Sequence, residues 1–135
     1  SLDCSKLSTT FFSKPTTMQM AEFRSLDIDS QYAVFICGNQ RREPPSIYLA
    51  TPFAQEGKSV VGFLKAKLLA ARGDLTITDI LLVFEEMSRA QTYNVGGDDD
   101  LMKVITDAVG RVKDAFWKKT CEQSLSEIRQ RATPP

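Results

Sequence analysis

SVVGFLKAKLLAARGDLTITDILLVFEEMS, residues 59–88, carries two apolar patterns of the same period on either side of one glycine. In the first, Val61, Leu64, Leu68 and Ala71 recur at spacings of three and four, with Val60 and Phe63 on the flank. Lys58, Lys65 and Arg72 fall seven apart and mark the wet side. Such spacings align on one side of a coil with 3.6 residues per turn, whereas a half-buried strand alternates at every second residue. A helix is therefore expected over 59–72, with Gly73 as its stop. In the second pattern, Ile77, Ile80, Leu81, Phe84 and Met87 form the oily stripe, and Thr76 with Asp79 stands as a shortened capping box. This predicts a helix over 76–88.

Toward the C-terminus, Gly96-Gly97 breaks the chain and Asp98-Asp99-Asp100 supplies negative charge where a helix dipole is positive. A long helix is expected over 98–128. Its buried stripe begins as Leu101, Ile105, Ala108, Val109, Val112 and Phe116, then shifts to Trp117, Cys121, Leu125 and Ile128, which predicts a bend, or a helix end whose final turns pack against another element. Gly110 inside it suggests a close helix contact. The tail 132–135 is expected to fray.

Toward the N-terminus the pattern weakens. Ile47-Tyr48-Leu49-Ala50 before Pro52 reads as a strand. Residues 31–40 carry both signals. Tyr32, Phe35 and Ile36 fit a helical face behind Asp29 or Ser30 as cap, while Val34, Phe35 and Ile36 also have strand propensity before a Gly38-Asn39 turn. The reading tips toward helix, with a short strand or hairpin across 32–50 as the alternative. A short helix is expected from Thr17, capped by Thr16 or Thr17, and residues 1–16 are expected to form an extended arm pinned by Phe11-Phe12. The fold class is mainly α in one domain over 1–135, the alternative being α+β.

Composition excludes several functions. Seventeen Lys and Arg balance seventeen Asp and Glu, so the chain lacks the basic excess of a dedicated nucleic-acid or polybasic membrane binder. Its apolar runs fall far short of the roughly 20 residues that span a bilayer. It has no histidine. That removes Ser-His-Asp and Cys-His catalysis and His-containing zinc sites. No enzyme activity and no cofactor are expected.

Several motifs carry candidate chemistry. Gly57-Lys58-Ser59 follows the expected strand and precedes a helix, the context of a phosphate-binding loop, but Pro52 stands where the first glycine of GxxxxGK[ST] belongs. A degenerate loop of this kind, with Ile80 to Phe84 as a strand leading to Glu85-Glu86, would make a cytosolic nucleotide-binding module. As helix neighbours, Glu85 and Glu86 point about 100° apart and do not converge as an acid–base pair. Asp98-Asp99-Asp100 lacks the spacing of a calcium loop. Trp117, beside Lys118-Lys119, is a candidate partner anchor. So is the stiff charged loop Arg41-Arg42-Glu43 before Pro44-Pro45.

Cys4, Cys37 and Cys121 show no metal-ligand spacing. Cys37 ends an apolar run and reads as a buried thiol. Cys4 and Cys121 have polar neighbours, and a Cys4–Cys121 disulfide would contribute about 4 kcal/mol in the chain-entropy model. Three reduced thiols in a cytosolic protein is the alternative.

Asp3-Cys4 near what would be a mature start, Phe35-Ile36-Cys37-Gly38 in an early apolar segment, and helices leading to a late Cys121 together resemble small helical periplasmic proteins of bacteria. These include acid-stress chaperones of the HdeA type and immunity proteins that neutralise toxins delivered by type VI secretion. The resemblance implies a non-enzymatic binding protein of the cell envelope, periplasmic or secreted, that acts on another protein without nucleic acid or membrane insertion. A subunit of a larger assembly, or a homo-oligomer, stands as a further alternative.

Overall fold

Residues 3–134 are described by the computed structural model, and all their regular structure is helical. Ser1, Leu2 and Pro135, the ends of the expected arm and tail, lie outside the described residues. The chain divides into two compact units, one running to Phe53 and one from Ala54 onward.

The first unit contains α1 (Cys4–Thr10), α2 (Thr16–Ser25), α3 (Ile28–Gln40), a 3-10 turn (Ile47–Leu49) and α4 (Ala50–Ala54), at whose end the division falls. Its core is aromatic. Phe53 meets Phe23 and Phe35 edge-on, with ring centroids 5.4 and 5.6 Å apart, a geometry that sets ring edges against ring faces. Two buried glutamines satisfy main-chain groups the helices leave over. Gln19 donates to the carbonyls of Lys14 and Phe12 and accepts from the Tyr48 hydroxyl, and Gln31 donates to the Phe23 carbonyl.

Four expectations change here. Residues 31–40 are helical as read, but the cap is Asp27, whose carboxylate accepts from Ser30 N at 2.8 Å. The strand over 47–50 and the hairpin across 32–50 are not formed. Leu49 and Phe53, both fully buried and four apart, face the core with helical spacing, and Pro52 sits in the first turn of α4, where a missing N–H costs little. The extended arm is instead helical at 4–10: Asp3 caps α1, and a Cys4–Cys37 disulfide ties it to α3 with Cα atoms 5.5 Å apart. Phe11 and Phe12 are buried as expected. The helix expected from Thr17 begins at Thr16, with Pro15 at its cap position.

The second unit contains α5 (Lys58–Ala70), α6 (Asp74–Ala90), a 3-10 turn (Val95–Gly97), α7 (Asp99–Arg111) and α8 (Ala115–Gln130). The oily stripes close on one another: Leu64, Leu68, Ile77, Ile80, Leu81, Phe84, Met87, Leu101, Ile105 and Ile128 are fully buried. Helices α6 and α8 run in the same sense and pack most closely. Thr78 meets Cys121, Ser124 donates to Glu85 at 2.6 Å, and Arg89 lies 3.7 Å from Glu127.

The long helix expected over 98–128 is two helices. The chain turns at 112–114, where Asp114 restarts it by accepting from Phe116 N and Trp117 N at 3.0 and 3.1 Å. This resets the helical phase, so Phe116, expected in the buried stripe, is 67% exposed. The helix expected from Thr76 starts at Asp74 with Gly73 at its cap, which places Thr76 inside it and removes the capping box. Asp98 does cap α7, accepting from Leu101 N at 3.1 Å. Gly110 makes no close helix contact, since a Cβ there would meet nothing within 4 Å. The tail is tied rather than frayed at Thr133, which exchanges two hydrogen bonds with the Asn94 amide.

Candidate functional site

Two short turns, 71–73 between α5 and α6 and 112–114 between α7 and α8, meet at one end of the second unit. Each turn holds the other. The Asp74 carboxylate accepts from Lys113 N at 3.0 Å and Asp114 N at 2.9 Å, satisfying amides that the break leaves without helical partners. In return the Arg111 guanidinium reaches the carbonyls of Leu68 and Ala71, the last turn of α5, where a cation also meets the negative end of the helix dipole. Arg72 donates to Leu69 and Ala71 carbonyls.

The amides of Asp114 and then Lys113 hold the Asp74 carboxyl below the ordinary carboxylate range. Its folded-state pKa is therefore depressed relative to the unfolded chain. The stabilisation is complete above the ordinary carboxylate pKa and is lost as pH falls through the lower folded value.

On this pinned frame stand Leu69, Leu75 and Phe116, exposed by 53%, 43% and 67%. They are all the large apolar side chains left exposed among the described residues of the second unit. Half-buried Trp117 braces Phe116 from the side, edge-to-face at 5.0 Å. Aromatic and leucine side chains are thus left in water at one end of an otherwise well-buried unit. Lys113 and Lys119 are exposed there as well.

The expected site residues divide between the units. Arg41, Arg42 and Glu43 belong to the first unit and Trp117 to the second. Arg41 and Glu43 are exposed, while the Arg42 guanidinium lies over the Phe12 ring at 4.5 Å and is thus occupied within its own unit. Trp117 sits at the apolar end described above. Sequence reasoning missed Leu69, Leu75 and Phe116. Leu69 and Leu75 fell outside both stripes, a usable signal, whereas the exposure of Phe116 depended on the unseen turn at 112–114.

The expected Cys4–Cys121 pairing is corrected. Cys4 bonds Cys37, and Cys121 is a fully buried thiol against Thr78. Polar sequence neighbours misled because on α8 they point away from the face that Cys121 shares with Leu125 and Ile128. Burial pushes the Cys121 thiol up, which keeps it protonated and unreactive. Cys37 is buried as expected, but as half of the bridge.

The nucleotide-binding alternative loses its context. Ile80 to Phe84 lies inside α6, and no strand precedes Gly57 among the described residues. Gly57 serves packing instead: its φ of +59° suits glycine, and a Cβ there would lie 2.8 Å from the Thr92 carbonyl oxygen. Among the described residues no group of three His, Cys, Asp or Glu is placed to hold a metal ion.

Comparison with family models, curated proteins and solved structures finds no match to this chain. The site is therefore read from its own geometry.

Proposed function

We propose that this is a non-enzymatic binding protein that acts by docking another protein on the apolar end formed by Leu69, Leu75, Phe116 and Trp117. The observation that carries this is the confinement of the second unit's exposed large apolar side chains to one end, on two turns locked together by Asp74 and Arg111. A surface fixed before contact loses little conformational freedom on binding. A steric role follows: the pinned end blocks or shields the partner's surface, as an inhibitor, an immunity protein or a chaperone would. The Cys4–Cys37 disulfide supports residence in an oxidising compartment such as a periplasm, because thiols stay reduced in the cytosol. No helix among the described residues is long and apolar enough to cross a membrane.

The test is affinity capture from bacterial envelope extract, quantified by mass spectrometry. Phe116→Asp and Leu75→Asp, both at exposed positions, are expected to keep native circular dichroism and to lower recovery of the main partner at least about tenfold, the scale of a lost anchor. Arg42→Ala is expected to leave recovery unchanged. Full recovery with both Asp variants would remove the apolar end from the account.

A further inference from the structure

The apolar end is also the basic end of a neutral chain. Residues 67–75 and 111–119 hold six basic residues, Lys67, Arg72, Arg111, Lys113, Lys118 and Lys119, against two carboxylates, Asp74 and Asp114. Those two carboxylates are committed to main-chain amides, as Arg72, Arg111 and Lys118 are to main-chain carbonyls, which leaves Lys113 and Lys119 as the exposed lysines beside Phe116. Asp74 accepts from Lys113 N and Asp114 N, and Asp114 accepts from Phe116 N and Trp117 N. Both remain charged, and Asp74 offsets part of the charge of Lys113 and Lys118, so the two carboxylates leave an excess of four basic residues at this end. The chain as a whole carries no net charge, so the remainder bears a matching acidic excess. Opposite charge gathered on one end, screened over about 8 Å at physiological salt, acts on whatever lies against that end and hardly beyond it.

Resting on the docking reading above, we propose that this end takes an acidic, amphipathic segment of another protein, with an apolar side chain set against Phe116 and carboxylates against Lys113 and Lys119. An anionic membrane shares the charge but fits the shape less well. Interfacial anchoring uses several rings reaching the headgroup level, and here one ring projects while Trp117 lies half-buried against its edge. A single fixed knob with a cationic rim matches a pocket with an acidic margin.

Trp117 is the only tryptophan in the chain, so its emission reports contact at this end without a label. The probes are a synthetic helical peptide of leucine and glutamate with an apolar face, the same peptide with lysine in place of glutamate, and phosphatidylglycerol vesicles. The acidic peptide is expected to shift Trp117 emission and to bind at least about tenfold tighter than its lysine counterpart, with affinity falling as salt rises from roughly 50 to 200 mM. Lys113→Glu with Lys119→Glu, both exposed positions, is expected to abolish that preference while circular dichroism stays native. Phe116→Ala is expected to weaken the acidic peptide with the charge preference intact. If Phe116→Ala weakens binding but charge reversal does not, the acidic partner is wrong and the docking end stands. If no peptide or vesicle responds to Phe116→Ala, the docking reading fails with it. A Trp117 response to the vesicles and none to the acidic peptide would overturn the proposal in favour of a lipid surface.

Discussion

Gly57 begins one helix and Gly110 lies inside another of the same unit, and they answer an added methyl group in opposite ways. At Gly57 the backbone has φ +59° and ψ −133°, and the methyl would press on a main-chain oxygen, which cannot swing aside. Gly57→Ala is expected to lower stability by about 1–3 kcal/mol, the cost of a residue forced into a glycine region. At Gly110 the helix is regular and the space beyond it open, so Gly110→Ala is expected to raise stability by about 0.5–1 kcal/mol through helix propensity alone. Urea unfolding midpoints of the two variants check this, and a destabilised Gly110→Ala would mean that a contact at α7 has been missed. Both glycines are plain in the sequence, but their roles are not. The residue letter gives freedom, and only the neighbour across the fold says whether that freedom is used. Phe116 makes the same point. Its spacing continues the stripe of Leu101 to Val112, and only the Asp114 cap, two residues before it, takes it out of phase.

Helix α1 is an element that local sequence cannot hold up. It has seven residues, none of them fully buried, whereas isolated helices below about 12–15 residues are marginal in water. Its Asp3 cap, the bridge to Cys37 and the buried Phe11-Phe12 that follow it keep it in place. Reduction with a dithiol, or Cys4→Ser, is therefore expected to raise amide hydrogen exchange over residues 5–10 to near that of unfolded chain, while α6 keeps its protection. Unchanged protection of α1 after reduction would show that packing rather than the bridge secures it. At this scale the strongly periodic elements were legible: the helices over 59–72 and 76–88 form within a few residues of their expected ends. What misled was competition between short-range signals. Ile47 to Ala50 has strand composition, but a strand needs a partner, and this segment's burial at Leu49 and Phe53 follows the helical spacing of four. The break at 112–114 left only a shift of stripe, open to a bend or a helix end, because its cause is tertiary: Asp74 receives the two amides that the break exposes.

Across the whole molecule, charge balance hides an uneven distribution. A net charge of zero argued against a dedicated nucleic-acid or polybasic membrane binder, yet the second unit gathers lysine and arginine at the end where its apolar side chains are also left exposed. Mainly helical architecture was available from periodicity. The apolar end was not, because exposure at Leu69, Leu75 and Phe116 is a property of how four helices meet.

On the docking reading, this end and no other part of the second unit meets the partner. Site-specific photo-crosslinking in living bacteria tests it most directly, with a photoreactive amino acid placed in turn at Phe116 and at Asp99, which is exposed at the start of α7. The expected result is one discrete heterologous adduct at position 116 that is lost with Leu75→Asp, and none at position 99. Adducts of equal yield at both positions, or an adduct at 116 whose mass is that of a second copy of the chain, would contradict the account.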